Sequence, residues 1–537
     1  MPEPTPSLEQ KIKYLSDPAA YPHPVSMITT IETHISIVFL TGEYAYKLKK
    51  PVDFGFLDFS TLARRQRFCQ LELTLNRRTA PELYLDVCAL YTADQGVSLT
   101  AEGDEPCICD YLVKMRQFDP NQVLGKQLSP SHRLTPAQTH QLANTIADLH
   151  IQAETCPAEA PYGHPDDLIH PMLDNFPTLL QDLNHPEDQY RLRQLADWTR
   201  HRQKELWQAL MQRKQHGWIR ACHGDLHLDN ITLIDQTPVL FDGIEFNEQF
   251  RWIDPINDLA FLMTDLIHRR QWDMKNALLS DYLQTTGDYA GMLFLRFYQA
   301  YRALVRAKIT LLRRRQLPAE SDQHHHLTQT AKDYVRQAED DAYDVSPPQL
   351  ILMHGVSGSG KSTVARRLLP FFDATPAVII SSDIERKRLY GIDPTARVSD
   401  TEKTTLYGPE MNRRTYQRLH ALVDTLLASG CHVIVDATNL KARFREAFFE
   451  QAQTHQARYK VCGIRFKGEN DQACLKQRLK QRAQANHDPS DADVNIMTGQ
   501  CAQVETPAAH ENAWLFSLSH IDSDLQSEAF RHWLDHT

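Results

Sequence analysis

The chain has 537 residues, 42% of them hydrophobic and 23% charged, with a formal net charge of −10. That length is more than one hydrophobic core organises and implies roughly two to four domains. The acidic balance argues against a general nucleic-acid coat or a binder of anionic membranes, and leaves open only a local basic groove.

The order of elements begins with strand-like residues over about 28–60. ISIVFL, a TGE turn and YAYKLKK form a hairpin pattern there. Residues 61–79 read as a helix, and further strands are expected near 84–92 and 107–116. From about Pro136 the text becomes helical, with long segments at 136–153 and 187–214. A short β-rich insert, ITLIDQTPVLFD, interrupts them at 231–242, and helices resume through 336. A small strand-rich lobe before a larger helical one is the layout of a bilobal, kinase-like α+β fold. Residues 337–349 (QAEDDAYDVSPPQ) are acidic and then carry Pro347 and Pro348, which predicts a linker. Beyond it strand and helix alternate: LILMHGV, AVIISSD, HVIVDATN and YKVCGIRF, each followed by a helical stretch. Such alternation predicts an α/β domain with a parallel sheet over 350–537.

Other features point to bland roles. The ten cysteines are scattered, and the one close pair, Cys107 and Cys109, has neither zinc-knuckle nor redox spacing. His324, His325 and His326 stand in a polar stretch that reads as a solvated loop. No run approaches the ~18 apolar residues of a membrane span. The opening MPEPTPSLEQKIKYL lacks the apolar core of a signal peptide, so the expected location is the cytoplasm.

The first chemical constellation is Cys222-His223-Gly224-Asp225-Leu226-His227-Leu228-Asp229-Asn230, followed by Phe241-Asp242-Gly243-Ile244-Glu245. Phosphoryl transfer needs a carboxylate to orient an acceptor hydroxyl and further oxygen ligands to hold Mg²⁺. An Asp, an Asn five residues on, and a second Asp beyond a hairpin supply that set. The constellation resembles the aminoglycoside phosphotransferase and choline-kinase family, whose catalytic loop reads H-G-D-x-x-x-x-N. The resemblance implies a catalytic base at Asp225, Mg²⁺ ligands at Asn230 and Asp242, and a structural loop residue at His223. It also implies a brace for the loop at Asp258 and an inter-lobe hinge over Tyr111 to Phe118. Lys47 is the expected nucleotide-phosphate lysine and Glu72 its partner, with Lys49 on the same face of the strand. One departure stands out. No G-x-G-x-x-G loop precedes Lys47; the equivalent stretch is THISIVFLTGEY, with Gly42 its one glycine.

The second constellation is Gly355-Val356-Ser357-Gly358-Ser359-Gly360-Lys361-Ser362, which satisfies G-x-x-x-x-G-K-[ST]. Glycines let successive N–H groups curl around phosphate oxygens, and the helix that follows adds its positive N-terminus. Gly355, Ser357, Gly358, Ser359, Gly360 and Thr363 are thus expected at the nucleotide. Lys361 should reach the β- and γ-phosphates, and Ser362 should ligate Mg²⁺. The loop follows an apolar strand and opens a helix, as this chemistry requires. Asp383 and Asp436 each follow a parallel strand at its carboxyl end, where α/β ligands bind.

Residues 350–510 resemble small P-loop kinases, a group that includes polynucleotide kinase, gluconate kinase, zeta-toxin-like kinases and AAA_33-type ATP-binding domains. The resemblance implies that Asp383 contacts the acceptor hydroxyl, that Arg386 holds substrate, and that Asp436 is the Walker B position near the metal. It implies that Arg443 or Arg445 helps to hold acceptor or phosphate. RLKQRAQANHDPSDA resembles the family's lid, with Arg478 and Arg482 at i and i+4 on one helix face. Guanidinium groups suit the oxygens of a transferring phosphoryl group.

The whole order resembles bacterial proteins described as bifunctional aminoglycoside phosphotransferase/ATP-binding proteins. It implies an ATP-dependent (or GTP-dependent) kinase with two Mg²⁺–nucleotide sites, phosphorylating hydroxyl groups of small molecules. A nucleic-acid acceptor for the C-terminal domain is the less favoured option. Two rivals remain: an acceptorless P-loop ATPase, and a P-loop kinase regulated by a catalytically weak N-terminal domain. Neither acceptor is legible in the residues, because a fold hosts many substrates.

Overall fold

A computed structural model describes residues 6–536, apart from 56, 94–95, 102–105, 130, 345, 395, 397, 466–467, 486–493 and 519–520. The side chains of 400, 401, 468–470, 482–485 and 495 lie outside that description as well. The chain forms two compact units, and neither is one continuous stretch. Unit 1 is Met1–Arg133, Asp148–Asp265 and Tyr301–Val335; unit 2 is Leu134–Ala147, Leu266–Ala300 and Arg336–Thr537.

Unit 1 carries an antiparallel six-stranded sheet in the order β1-β2-β3-β6-β4-β5. Its strands are β1 (Thr29–Glu32), β2 (Ser36–Leu40), β3 (Tyr44–Lys49), β4 (Tyr84–Ala93), β5 (Gly96–Ser98) and β6 (Ile108–Arg116). The expected hairpin is present, with Val38 opposite Lys47. Strand alternation sorts its side chains by face. Tyr46 and Leu48 enter a core with Ile37, Phe39 and Leu112. Lys47 and Lys49 point to the other face, toward helix α1 (Leu62–Asn76), whose Cys69 and Leu73 pack with Tyr84 and Val113. The insert at 231–242 is the hairpin β7 (Ile231–Ile234) and β8 (Thr237–Leu240).

Unit 2 carries a parallel five-stranded sheet. Its strands are β9 (Gln349–His354), β10 (Ala377–Ser381), β11 (His432–Asp436), β12 (Arg458–Arg465) and β13 (Ala513–Ser517). They lie in the order β10-β11-β9-β12-β13. β9 and β11 are buried at every position, as strands covered on both faces must be, and this is why they read as unbroken apolar runs. Chain connections leave β9 and β11 in opposite directions along the sheet. The crevice beyond their carboxyl ends is therefore the ligand position of an open α/β sheet.

The edge strand β10 is covered by helix α2 (Trp272–Thr286). Asn276, Ser280 and Gln284 follow one another at four-residue steps along α2. Asn276 Oδ1 accepts from the Ala377 N–H, Ser280 Oγ accepts from the Ile379 N–H, and Gln284 Nε2 donates to the Ile379 carbonyl. Four helix residues rise about 6.0 Å and two strand residues about 6.6 Å, so the two repeats match.

Two expectations need correction. Residues 337–343 are not linker: they are the last turns of the helix Asp322–Tyr343, where Gln337 and Ala338 are buried. The helix ends at Tyr343, ahead of Pro347 and Pro348, which a helix does not readily pass. The three consecutive histidines, 324–326, lie in the first turns of the same helix rather than in a loop. Its next turns bury Ala331 and Tyr334, and that apolar face outweighs the local polarity.

Candidate active sites

In unit 1 the chemistry gathers at the β3 face. Lys47 Nζ lies 2.8 Å from Glu72 Oε1 and 2.6 Å from Asp242 Oδ1. Lys49 Nζ lies 2.5 Å from Glu72 Oε2 and also pairs with Glu245. Glu72 is thus bridged by both lysines. Its burial works against ionisation, yet the two ammonium groups prevail and bring its carboxyl down to about 2. Lys47 is likewise desolvated by burial, but Asp242 and Glu72 raise its pKa well above the ordinary value. Burial, together with the neighbouring Glu72 charge, pushes Glu245 up.

Asp242 has φ of 60°, a left-handed conformation that Asp tolerates better than most residues. Its N–H donates to the Tyr84 hydroxyl at 3.0 Å, and the Gly243 N–H donates to Asn76 Oδ1 at 2.8 Å. Tyr84 and Asn76 thus hold the Asp242-Gly243 turn, and both escape sequence reasoning, because neither has a motif.

The loop from His223 to Asn230 is built around Asp225. Asn230 Nδ2 donates to Asp225 Oδ2 at 2.9 Å, and His227 Nε2 lies 3.1 Å from the same oxygen. His227 Nδ1 accepts from the Asp229 N–H, so in the neutral ring Nε2 carries the proton that Asp225 receives. Burial opposes ionisation of Asp225, and the His227 charge and hydrogen bond more than offset it, leaving the carboxyl well below its usual range. Both bonds fall on Oδ2 rather than Oδ1. Asp258 accepts from the N–H groups of His223 and Gly224 at 2.8 and 3.0 Å, and so braces the loop. His223 is buried, and burial lowers its pKa. The oxygen donors at Asn230 and Asp242 suit a hard cation such as Mg²⁺. Where a glycine-rich loop was missed, Gly42 occupies a bare turn with φ of 102°, its N–H bound to Gln117 Oε1. The expected hinge begins as β6 and ends at Phe118, whose ring meets Phe241 edge-on at 5.1 Å.

In unit 2 the P-loop joins β9 to helix α3 (Lys361–Leu368). Gly358 and Gly360 have φ of 81° and 97°. A Cβ on Gly358 would also stand 2.9 Å from Leu479, so glycine is required there twice over. Lys361 Nζ donates to the Val356 carbonyl at 2.9 Å, and the Ser357 N–H donates to Gln500 Oε1 at 2.7 Å. Ser359 Oγ is buried within the loop and has no partner among the described residues, a condition that fits a loop built to hold phosphate oxygens.

A cavity of about 1390 Å³ opens beside the loop. Ser357, Gly358, Gly360, Lys361, Ser362 and Thr363 line one side of it, and Asp383, Arg386, Asp436, Arg443 and Arg478 also reach it. Asp383 is the second residue of helix α4 (Ser382–Tyr390), and its Oδ1 lies 2.6 Å from Arg386 Nη1. Arg386 also donates to Asn412 and lies over the Tyr407 ring. Asp436 ends β11, with Asn439 Nδ2 tied back to the Met353 carbonyl. Arg443 and Arg445 are two residues apart on helix α5 (Ala442–Thr454), about 200° around the axis. Arg443 faces the cavity. Arg445 does not: it is fully buried and paired with Glu511 at 2.6 Å, so its expected share in holding the acceptor is corrected to a structural one. Arg478 lies on helix α6 (Gly468–Ala485). The Arg482 side chain and residues 486–493 of the expected lid fall outside the described residues.

Residues 79–298 match the model of the phosphotransferase enzyme family (APH), and residues 350–507 match an AAA domain model (AAA_33). The uncharacterized protein Rv2004c of Mycobacterium tuberculosis (strain H37Rv) is 30% identical over 428 residues, covering 78% of this chain and 80% of its own. A choline/ethanolamine kinase family protein from Mesorhizobium loti aligns with TM-score 0.37 and 13% identity, over 62% of this chain and 95% of its own. Kti12 from Chaetomium thermophilum aligns with TM-score 0.25 and 19% identity, over 34% of this chain and 93% of its own. The two family models define the class: an ATP-dependent phosphotransferase of the kinase type, with a P-loop domain behind it. Within that class the chain belongs to one family with the mycobacterial protein. The phosphotransferase match begins at residue 79, after Lys47 and Glu72.

Proposed function

We propose that the chain is a two-site, Mg²⁺- and ATP-dependent phosphotransferase that phosphorylates hydroxyl groups of small molecules. Residues 1–340 would perform one transfer and residues 350–537 the other. In the first, Asp225 orients the acceptor hydroxyl, Asn230 and Asp242 hold Mg²⁺, and Lys47, positioned by Glu72, takes the nucleotide phosphates. In the second, the P-loop holds the nucleotide through Lys361 and Thr363, and Ser362 and Asp436 serve the metal. Asp383 faces the acceptor, with Arg386 and Arg443 beside it, and Arg478 and Arg482 belong to the lid. Both reactions use a cytoplasmic reagent, ATP, which supports a cytoplasmic location.

The observation that carries this reading is the cavity of about 1390 Å³, which Lys361 and Asp383 both line. Sites for one ligand run to about 300–1,000 Å³, so this cavity has room for a nucleotide and an acceptor together. ATP turnover by the full chain, assayed against sugars, nucleosides and oligonucleotides, tests it. Asp383→Ala and Asp225→Ala should each abolish one transfer. If both leave every detected transfer unchanged, the mechanism is wrong.

A second reading, a P-loop kinase gated by a weak unit 1, is favoured by the bare turn at Gly42. ATP stoichiometry of the Lys361→Ala chain separates the two. One remaining nucleotide supports two sites, and none supports the gated form.

A further inference from the structure

One peptide unit of the P-loop, Val356–Ser357, is held from both ends. Its carbonyl accepts from Lys361 Nζ at 2.9 Å, and its N–H donates to Gln500 Oε1 at 2.7 Å. The lysine of such a loop serves the β- and γ-phosphates. The peptide that it touches therefore stands at the terminal-phosphate end of the site. Gln500 lies on helix α7 (Val494–Cys501), and with Gly499 and Gln503 it lines the same cavity as Ser357 and Lys361.

A neutral amide oxygen thus occupies an N–H of the kind that P-loops offer to phosphate oxygens. The two acceptors are unequal. A phosphate oxygen is anionic and makes the stronger, charge-assisted bond. The Gln500 carboxamide is uncharged and can turn away without leaving an unpaired charge behind.

We propose that Gln500 is a specificity-determining residue that reads the terminal phosphate of the nucleotide. It closes the Ser357 N–H when no γ-phosphate is present and yields that N–H to a γ-phosphate oxygen of a nucleoside triphosphate. A diphosphate ends short of this peptide and leaves the Gln500 contact in place. The inference rests on the reading of the P-loop as a nucleotide site.

The test titrates full-length wild type, Gln500→Glu and Gln500→Ala with Mg²⁺-ATP and Mg²⁺-ADP by calorimetry. The binding component that Lys361→Ala removes is assigned to the P-loop. Gln500→Glu places a carboxylate where the γ-phosphate must come. It should weaken ATP at this component about tenfold while ADP stays within about twofold. Gln500→Ala removes the competing acceptor, and should raise the ATP-to-ADP affinity ratio roughly two- to fivefold. A merely structural glutamine would not give opposite signs for the two variants. Equal shifts for both nucleotides, or no shift in either variant, overturn the role of Gln500 and leave the P-loop reading standing. If Lys361→Ala removes no component at all, the nucleotide site itself fails, and the role of Gln500 with it.

Discussion

Glu72 bridges two lysines, and this makes its contribution to stability depend on pH. Its carboxyl is lowered from 4.5 to about 2 against the pull of burial, chiefly by Lys47 and Lys49. A carboxylate with a depressed folded pKa stabilises the fold above its unfolded value and loses that contribution as pH falls through the folded one. Glu72→Gln should therefore destabilise the chain near pH 7, and the gap to wild type should narrow below pH ~4.5. Chemical denaturation at a series of pH values reads this; a gap that does not change with pH refutes it. His227 offers a second reading at the same scale. Burial lowers its pKa, while Asp225 raises it by charge and hydrogen bond, with the net direction upward. Asp225→Asn removes the largest upward influence and keeps the burial, while the smaller influences of Arg306 (downward) and Asp265 (upward) remain. The His227 proton resonance should then titrate below the usual value of about 6.5 instead of above it. An unmoved midpoint would show that Asp225 is not its partner.

At the scale of elements, the pairing of α2 with β10 carries the most consequence. An edge strand presents unpaired N–H and C=O groups. Here side chains of a helix, rather than another strand, satisfy them at the matching repeat. Asn276 does most, bonding the Ala377 N–H and the carbonyls of Leu369 and Phe372. Asn276→Ala leaves these buried groups without their partner, and should lower stability by about 1–3 kcal/mol. Amide exchange at Ala377 should accelerate in this variant, and at Ile379 in Ser280→Ala. Unchanged exchange at both amides would mean that the ladder does not hold the strand. The element types themselves were largely legible. The hairpin at 36–49, the insert at 231–240 and the alternation after 349 each follow from hydrophobic period and turn residues. The helix across 337–343 was not, because its acidic residues resemble a linker while its buried face is set by tertiary packing.

At the scale of the whole molecule, unit 2 is assembled from three stretches of chain, and α2 belongs to it although the stretch lies before residue 340. A fragment of residues 346–537 keeps every P-loop motif yet lacks α2. It should expose the β10 edge and be aggregation-prone or unfolded by circular dichroism, whereas the full chain is not. A stable, monomeric fragment would contradict this. Among the described residues no helix is long and apolar enough to cross a membrane.

The sequence by itself determined the chemistry that consecutive residues encode. The P-loop and the loop from His223 to Asn230 work through backbone geometry and side chains within a few positions, so a local run carries them whole. Only the tertiary structure decided the contacts between distant residues. Lys47 meets Asp242 across 195 positions, Gln500 meets Ser357 across 143, and Ser280 meets Ile379 across 99. Arg445 was turned from ligand candidate to buried ion-pair partner by the same cause. Which face of a helix looks into a cavity and which into a core depends on what packs against it, and no local spacing contains that.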